Sequence, residues 1–304
     1  MTDAKTIEWL LDSDPSIRWQ VMRDLANAPK RQITNERSRV SEEGWGRRLL
    51  DLQGEDGNWG GGAYTPKWIS TMYTLLLIRH LGIDPQSDRM RAATAKVRDN
   101  VVLGGRDRPF FDYATEVCMT GMALALSSYF LEDAQAQSQP AYLLERQRDD
   151  GGWNCHVASD RSSFHTTISV LEGLLEYENA VGGDASLAEA RARAHEYFLQ
   201  RRLMYSLTTG ELVKNRWLLM SFPPRWFYDV LRGLDYLRES GIEPDPRCEE
   251  AIELIGSKQR RDGTWPLQNP HPGKVHFDME EGSGKPSRWN TLRVLRVLRW
   301  YDGG

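Results

Sequence analysis

Cysteine, long apolar runs and excess basic charge are all scarce or absent in this sequence. Its 304 residues include three cysteines, Cys118, Cys155 and Cys248, and their wide separation argues against a disulfide framework. No stretch approaches the roughly 20 apolar residues that a membrane-spanning helix requires. Lys and Arg total 39 against 43 Asp and Glu, so nucleic acid is not an expected partner. Because Asp3 and Glu8 interrupt any signal-peptide pattern, we expect a cytoplasmic protein without a membrane span.

Tryptophan is frequent by contrast, and several of the 11 copies recur in similar local contexts. Three segments each read Gln, then Asp-Gly, then Trp. They run from Gln53 to Trp59, from Gln147 to Trp153 and from Gln259 to Trp265. Asp-Gly favours a tight turn because Gly supplies a positive φ, and the following Trp can lie flat against a neighbouring helix. The sequence is therefore built from repeats.

Apolar and polar helical patterns alternate around these turns, which predicts an all-α fold. The apolar runs occupy residues 68–81, 116–130, 164–177, 226–237 and 289–300. The polar amphipathic stretches between them occupy residues 87–98, 141–148, 187–202 and 247–258. With an N-terminal pair at 15–25 and 35–52, we expect about six inner and five to six outer helices. These form a single domain over 1–304, in which residues 1–44 are a helical extension or the first helix pair.

The Gln, Asp-Gly, Trp turns resemble the QW motifs of squalene-hopene cyclases and the related turns of protein prenyltransferase β subunits. The resemblance covers roughly residues 45–300. It implies an α/α toroid whose inner helices surround a cavity for an isoprenoid or another apolar small molecule. In that superfamily the repeat is a structural staple, so its Gln and Trp are expected to support the fold rather than the chemistry.

Two helix starts are similar to the zinc site of the protein prenyltransferases. That family uses an Asp-x-Cys pair and a later His, and the matching residues here are Glu116, Cys118 and His165. Thiolate, imidazole and carboxylate are ligands that zinc accepts, and three of them leave one position open. Glu in place of Asp is a departure, and both the Cys and the His also suit a packed core. Cys155 with His156 is a rival ligand pair.

A prenyl diphosphate would need positive charge at the same end of the toroid. By position, the resemblance assigns this role to Arg106 and Arg108, although loop arginines are commonly solvated. Lys67, Arg225, Lys285 and Arg288 precede other apolar runs and could join them. The aromatic residues at helix starts suit a substrate-binding wall and suit an ordinary helical core equally well. They are Trp68, Tyr113, Phe164, Trp226, Tyr228 and Trp289.

Terpene cyclases that start by protonating an alkene use an Asp-x-Asp-Asp acid, which this sequence lacks. The nearest segment is Asp278-Met-Glu280-Glu281, beside His276. Asp278 is the candidate acid of this alternative, although a solvated acidic loop is the simpler interpretation.

Three functions follow from these patterns. The first is a prenyltransferase-like enzyme that uses zinc to activate a nucleophile against an isoprenoid diphosphate, alone or with a partner subunit. The second is a terpene or squalene-type cyclase without zinc. The third is a non-catalytic toroid that binds a lipid or a protein, for which Cys118 and His165 would be dispensable.

Overall fold

The computed structural model describes residues 4–104, 108–133 and 138–303, and this part of the chain contains thirteen α-helices. Six of them form an inner ring: α2 (Pro15–Asp24), α5 (Thr71–Leu81), α7 (Val117–Phe130), α9 (Phe164–Val181), α11 (Val230–Glu239) and α13 (Arg288–Tyr301). The other seven pack around that ring: α1 (Ala4–Leu11), α3 (Lys30–Ser38), α4 (Gly44–Leu50), α6 (Asp88–Asn100), α8 (Gln139–Leu144), α10 (Ala185–Gln200) and α12 (Glu249–Gly256). Two-residue strands β1 (Trp265–Pro266) and β2 (Pro286–Ser287) pair antiparallel.

The inner helices close into a ring, which confirms the predicted α/α toroid. Helix α7 packs against both α5 and α9, and polar contacts join the remaining neighbours. These contacts are Trp19 Nε1 to the Leu81 carbonyl (3.0 Å), Arg232 to Glu172 (2.7 Å), Arg293 to Asp235 (3.2 Å) and Arg296 to Gln20 (2.9 Å). Because α2 lies between α13 and α5, the N-terminal helices complete the ring. No helix in the described ranges is both long and apolar enough to span a bilayer.

The three sequence repeats adopt the same local structure, and each one fastens an inner helix to an outer one. In the second repeat, Trp153 Nε1 donates to the Leu143 carbonyl (2.7 Å), and its backbone N–H donates to Thr167 Oγ1 (3.0 Å). Trp59 and Trp265 make the equivalent pairs of bonds in the other two repeats. All three indole rings are buried. The repeat is therefore structural, as expected.

The predicted stretch 35–52 is not one helix. Helix α3 ends at Ser38, a short 3₁₀ turn follows, and α4 begins at Gly44, whose φ is +65°. That left-handed conformation favours glycine and breaks the helix. The run predicted at 226–237 begins four residues late, at Val230, because the Asp229 side chain accepts the Arg232 N–H (2.8 Å) as an N-cap.

Helices α7 and α9 approach closely because glycines face each other. A Cβ atom placed on Gly173 would lie 2.4 Å from the Gly121 carbonyl oxygen, well inside van der Waals contact. Each of these two apolar helices has a glycine at the point of contact, so the two backbones can approach closely there. This contact fixes the wall of the toroid next to the predicted ligand-bearing helix starts.

Candidate functional site

The predicted metal ligands on α7 lie beside a third residue, Cys155. Glu116 is exposed at the N-cap position of α7, and Cys118 lies in the first turn. The backbone N–H of Cys118 donates to Cys155 Sγ (3.1 Å), and the Thr166 hydroxyl donates to the same sulfur (3.5 Å). We call Cys118 and Cys155 the thiol pair. A hydrogen bond between the two side chains raises the pKa of Cys118 and lowers that of Cys155.

His165 is placed in a way that does not suit a metal ligand. Its Nδ1 accepts the backbone N–H of Tyr228 (2.7 Å), so the neutral ring carries its proton on Nε2. Burial lowers the pKa of His165 to about 4 and keeps the ring neutral. Both nitrogens are thus unavailable to zinc without breaking this arrangement, since zinc binds an unprotonated nitrogen.

No group of three or more His, Cys, Asp or Glu residues is arranged to hold a metal ion within the described residues. His156, from the rival pair, has an exposed side chain. The residues present therefore do not fit the zinc centre that the resemblance implied. Zinc content stays a prediction for metal analysis of the purified protein.

The other predicted binding residues are dispersed. Arg106 lies outside the described residues, and Arg108 is exposed, with Nη1 donating to the Ala114 carbonyl (3.2 Å). Phe164 and Tyr228 pack against each other (ring centroids 5.0 Å apart) in the core. Tyr113 is also buried.

Trp226 stacks on Phe227 (4.1 Å) and contacts the His165 ring. Of the aromatic residues predicted at helix starts, Trp68 and Trp289 lie at cavities.

Trp68 lines a cavity of about 120 Å³ at the end of the toroid where the inner helices begin. We call it the mouth pocket. The loop of residues 267–282 forms one wall and is tied to the start of α5 by three bonds. They are Trp68 Nε1 to the Pro272 carbonyl (2.9 Å), the Trp68 N–H to the Lys274 carbonyl (2.9 Å) and His276 Nε2 to Thr74 Oγ1 (2.8 Å). Phe222, Phe277 and Leu77 add apolar surface.

Glu280 is a half-buried carboxyl group on the wall of this pocket. Its Oε1 accepts hydrogen bonds from the Ser287 hydroxyl (2.7 Å) and from the Trp289 N–H (3.2 Å) at the start of α13. Burial raises the pKa of Glu280 to about 7, with these bonds opposing the rise. Since Oε1 accepts two bonds, the neutral acid carries its proton on Oε2. Asp278, the acid candidate chosen from the sequence, is an exposed residue at the rim.

Arg225 brings a buried cation to the same pocket. It lies in the left-handed region of backbone space (φ 59°), and its guanidinium group stands over the Trp68 ring (5.4 Å). Among the residues that the structure describes, no carboxylate forms an ion pair with it, and it is 9% exposed. Burial lowers the pKa of Arg225 to about 10. A buried cation without a counter-ion is costly, which favours an anionic ligand group at this position.

A second cavity, of about 180 Å³, lies further along the toroid axis and is lined mainly by charged side chains. We call it the axial cavity. Phe222 and Trp289 stack (4.3 Å between centroids, 11° between planes) and contribute to its wall. Phe222 lines both cavities, so this stacked pair lies between them. The axial cavity is therefore mainly polar, whereas the mouth pocket offers apolar surface.

No known family model matches the chain, and no curated protein sequence matches it significantly. Solved structures that resemble it include a protein from Actinoplanes, with 17% identity and a TM-score of 0.43 over 95% of this chain and 90% of that one. The type II terpene cyclase MstE from Scytonema is 18% identical, with a TM-score of 0.43 over 94% of this chain and 86% of that one. A variant of MstE in complex with geranylgeranyl dihydroxybenzoate is 16% identical, with a TM-score of 0.43 over 94% of this chain and 84% of that one. At these TM-scores, the reaction of this chain has to be inferred from its own side chains.

Proposed function

We propose that this protein is an acid-initiated isoprenoid cyclase whose proton donor is Glu280, and that it works without zinc. The observation that carries the proposal is the half-buried carboxyl group of Glu280 on the wall of the mouth pocket, where burial raises its pKa to about 7. A carboxyl group that stays protonated near neutral pH can act as a general acid there. Asp278 is exposed and lacks this environment.

The reaction begins when the Glu280 proton moves to an alkene carbon, or to an epoxide oxygen, at one end of the substrate. The resulting carbocation is attacked by a second double bond of the same chain, which closes a ring. Aromatic faces attract a neighbouring cation, and Trp68, Phe222 and Phe277 supply such faces in the mouth pocket. This support is needed because a carboxyl group with a raised pKa is a weak acid, and it protonates an alkene only when the resulting cation is stabilised.

A closing proton transfer restores neutrality. The ring loses a proton next to the final cation, and His271 on the pocket wall can accept it. Burial lowers the pKa of His271 to about 4, so the imidazole is neutral, and its Nε2 has no hydrogen-bond partner among the described residues. Exchange with solvent at the exposed loop then returns a proton to Glu280. The substrate and product are isomers.

The substrate class follows from Arg225 and from the size of the pocket. An anionic head group, such as a diphosphate, would neutralise the buried guanidinium group. A long apolar chain that extended along the axis beyond the mouth pocket would meet the charged side chains of the axial cavity. We therefore expect short isoprenoid diphosphates to react in preference to long ones.

The test is product formation from geranyl, farnesyl and geranylgeranyl diphosphates, with the matching free alcohols as a second series. Gas chromatography with mass spectrometry, after removal of the diphosphate, should show a product isomeric with the starting alcohol. Glu280→Gln should lower the rate by about 10²- to 10⁴-fold, the usual contribution of a general acid. The matched control Asp278→Asn should retain the wild-type rate.

Three results would overturn the proposal. If Glu280→Gln formed product at the wild-type rate, Glu280 would not be the proton donor. Binding of these diphosphates without any product would instead favour the non-catalytic lipid-binding toroid. A requirement for added zinc would restore the prenyltransferase-like hypothesis.

A further inference from the structure

The axial cavity contains more positive charge than its carboxylates neutralise. Seven arginines line it: Arg23, Arg37, Arg79, Arg232, Arg238, Arg293 and Arg296. The carboxylates on its wall are Glu172, Glu176, Asp235 and Glu239, and Asp24 pairs with two of the arginines from just outside. Asp229, at the start of α11, also interacts electrostatically with Arg232 and Arg293. Seven cations against six carboxylates still leave an excess of positive charge.

The excess has a structural origin in shared partners. Asp235 receives three arginines, Arg238 (2.9 Å), Arg293 (3.2 Å) and Arg296 (3.2 Å). Arg37 forms no ion pair within the described residues and donates to the carbonyls of Gly82 and Ile83 and to a tyrosine hydroxyl. One carboxylate thus serves several guanidinium groups, and one guanidinium group is held by neutral acceptors alone.

Two buried N–H donors on the cavity wall also lack acceptors. Trp289 Nε1 and Arg296 Nε have no hydrogen-bond partner among the described residues, and their side chains are 1% and 9% exposed. A buried donor without a partner costs about 1–3 kcal/mol, so native structures rarely leave two at one cavity. Both would be satisfied by the oxygens of a ligand.

The pKa of His80, which lines this cavity, is lowered in part by the same positive charge. Burial, and then the positive charge of Arg79, lower the pKa of His80 to about 3. His80 is therefore neutral and adds no further positive charge at neutral pH. The field that opposes its protonation is the field that would attract an anion.

We propose that the axial cavity is a binding site for a small oxyanion, such as phosphate or a short dicarboxylate. Its negative charge would balance the excess positive charge on the wall. Oxyanion oxygens accept the fork-shaped donors of arginine and satisfy the two open N–H groups. This site is separate from the mouth pocket and does not depend on the reaction proposed there.

Thermal unfolding of the wild-type protein at constant ionic strength tests the site, with sodium chloride replaced stepwise by sodium phosphate or sodium succinate. A ligand that binds only the folded state raises the melting temperature progressively with its concentration. We expect such a rise with at least one of the two anions, and isothermal titration calorimetry should give saturable binding of the same anion. The anion that binds identifies the source of the charge as phosphate or carboxylate.

Two variants test whether the anion binds in the axial cavity. Arg37→Gln removes one unpaired charge without stranding a carboxylate, and should weaken binding of the effective anion at least tenfold. Arg91→Gln is the matched control because Arg91 is an exposed residue on α6, outside the cavity, and it should bind like the wild type. Melting curves in chloride, phosphate and succinate that superimpose for the wild type would overturn the proposal. Unchanged binding in Arg37→Gln would also overturn it.

Discussion

Replacing Glu280 with Gln should change how the stability of this protein depends on pH. The folded state raises the pKa of Glu280 from 4.5 to about 7, whereas the unfolded chain has the ordinary value. The folded state therefore binds the proton more tightly. As pH rises above the pKa that Glu280 has in the unfolded chain, Glu280 ionises first in the unfolded state, which lowers the free energy of unfolding. The free energy of unfolding stops falling above the pKa that Glu280 has in the folded state.

The size of the effect follows from the shift. A difference of about 2.5 units corresponds to roughly 3 kcal/mol at 25 °C, since one unit is about 1.4 kcal/mol. Wild-type stability should fall by that amount, relative to the Gln variant, between about pH 4.5 and about pH 7.5. Glutamine can still accept the bond from Ser287 but carries no titrating proton.

Urea unfolding of both proteins across this pH range gives the difference in unfolding free energy directly. Asp278→Asn is the control, because Asp278 is exposed and should give a curve parallel to the wild type. A constant difference between the wild type and Glu280→Gln at every pH would refute the assignment of a neutral, half-buried Glu280. A wild-type stability that rises with pH relative to Glu280→Gln would refute it as well.

Three further predictions concern the repeats, the helix contact and the thiols. Gln147→Ala should destabilise the fold by about 1–3 kcal/mol in urea unfolding, because its amide bridges two carbonyls at 2.7 Å. Gln259→Ala, which loses one exposed 3.4 Å bond, should cost under about 0.5 kcal/mol. Gly173→Ala should cost about 1–3 kcal/mol by overpacking the contact of α7 with α9, whereas Gly256→Ala meets no atom within 4 Å and should change stability by under about 1 kcal/mol. Diamide should join the thiol pair in a disulfide, read as a peptide crosslink by mass spectrometry, while the fully buried Cys248 stays reduced.

Each of these comparisons has a clear contrary result. Equal costs for the two glutamine variants would show that the repeats are not distinguished by their hydrogen bonds. Equal costs for the two glycine variants would show that the inner helices have room to separate. Crosslinks that include Cys248, or none at all under diamide, would contradict the placement of the thiols.

The fold could be predicted from the sequence because its signals are local. The Asp-Gly turns and the helical spacing of apolar residues lie within short segments, and the Trp of each repeat makes the same two hydrogen bonds. The break at Gly44 could not be predicted in this way, since amphipathic spacing continues across it. What fixes that break is a close approach of the backbone to Asp14, whose side chain accepts the Trp45 N–H (2.7 Å).

The candidate site was harder to predict because burial depends on distant segments. Asp278 and Glu280 are two residues apart in one acidic loop, and only the packing of that loop against α13 separates an exposed carboxylate from a half-buried acid. Ser287, seven residues further on, is the one local signal that could have indicated Glu280, since an N-cap residue marks a helix start nearby. Likewise, Arg293 and Arg296 are three residues apart in the sequence, and the packing of α13 places both on the wall of the axial cavity.

The most direct test of the central claim is the transfer of a proton from Glu280 to the substrate. Wild-type protein, Glu280→Gln and Asp278→Asn would be incubated with farnesyl diphosphate in D₂O, and the product analysed by mass spectrometry. We expect one deuterium at the protonated alkene carbon with the wild type and Asp278→Asn, and a rate of product formation about 10²- to 10⁴-fold lower with Glu280→Gln. A deuterated product from Glu280→Gln at the wild-type rate, or an undeuterated product from the wild type, would contradict the account.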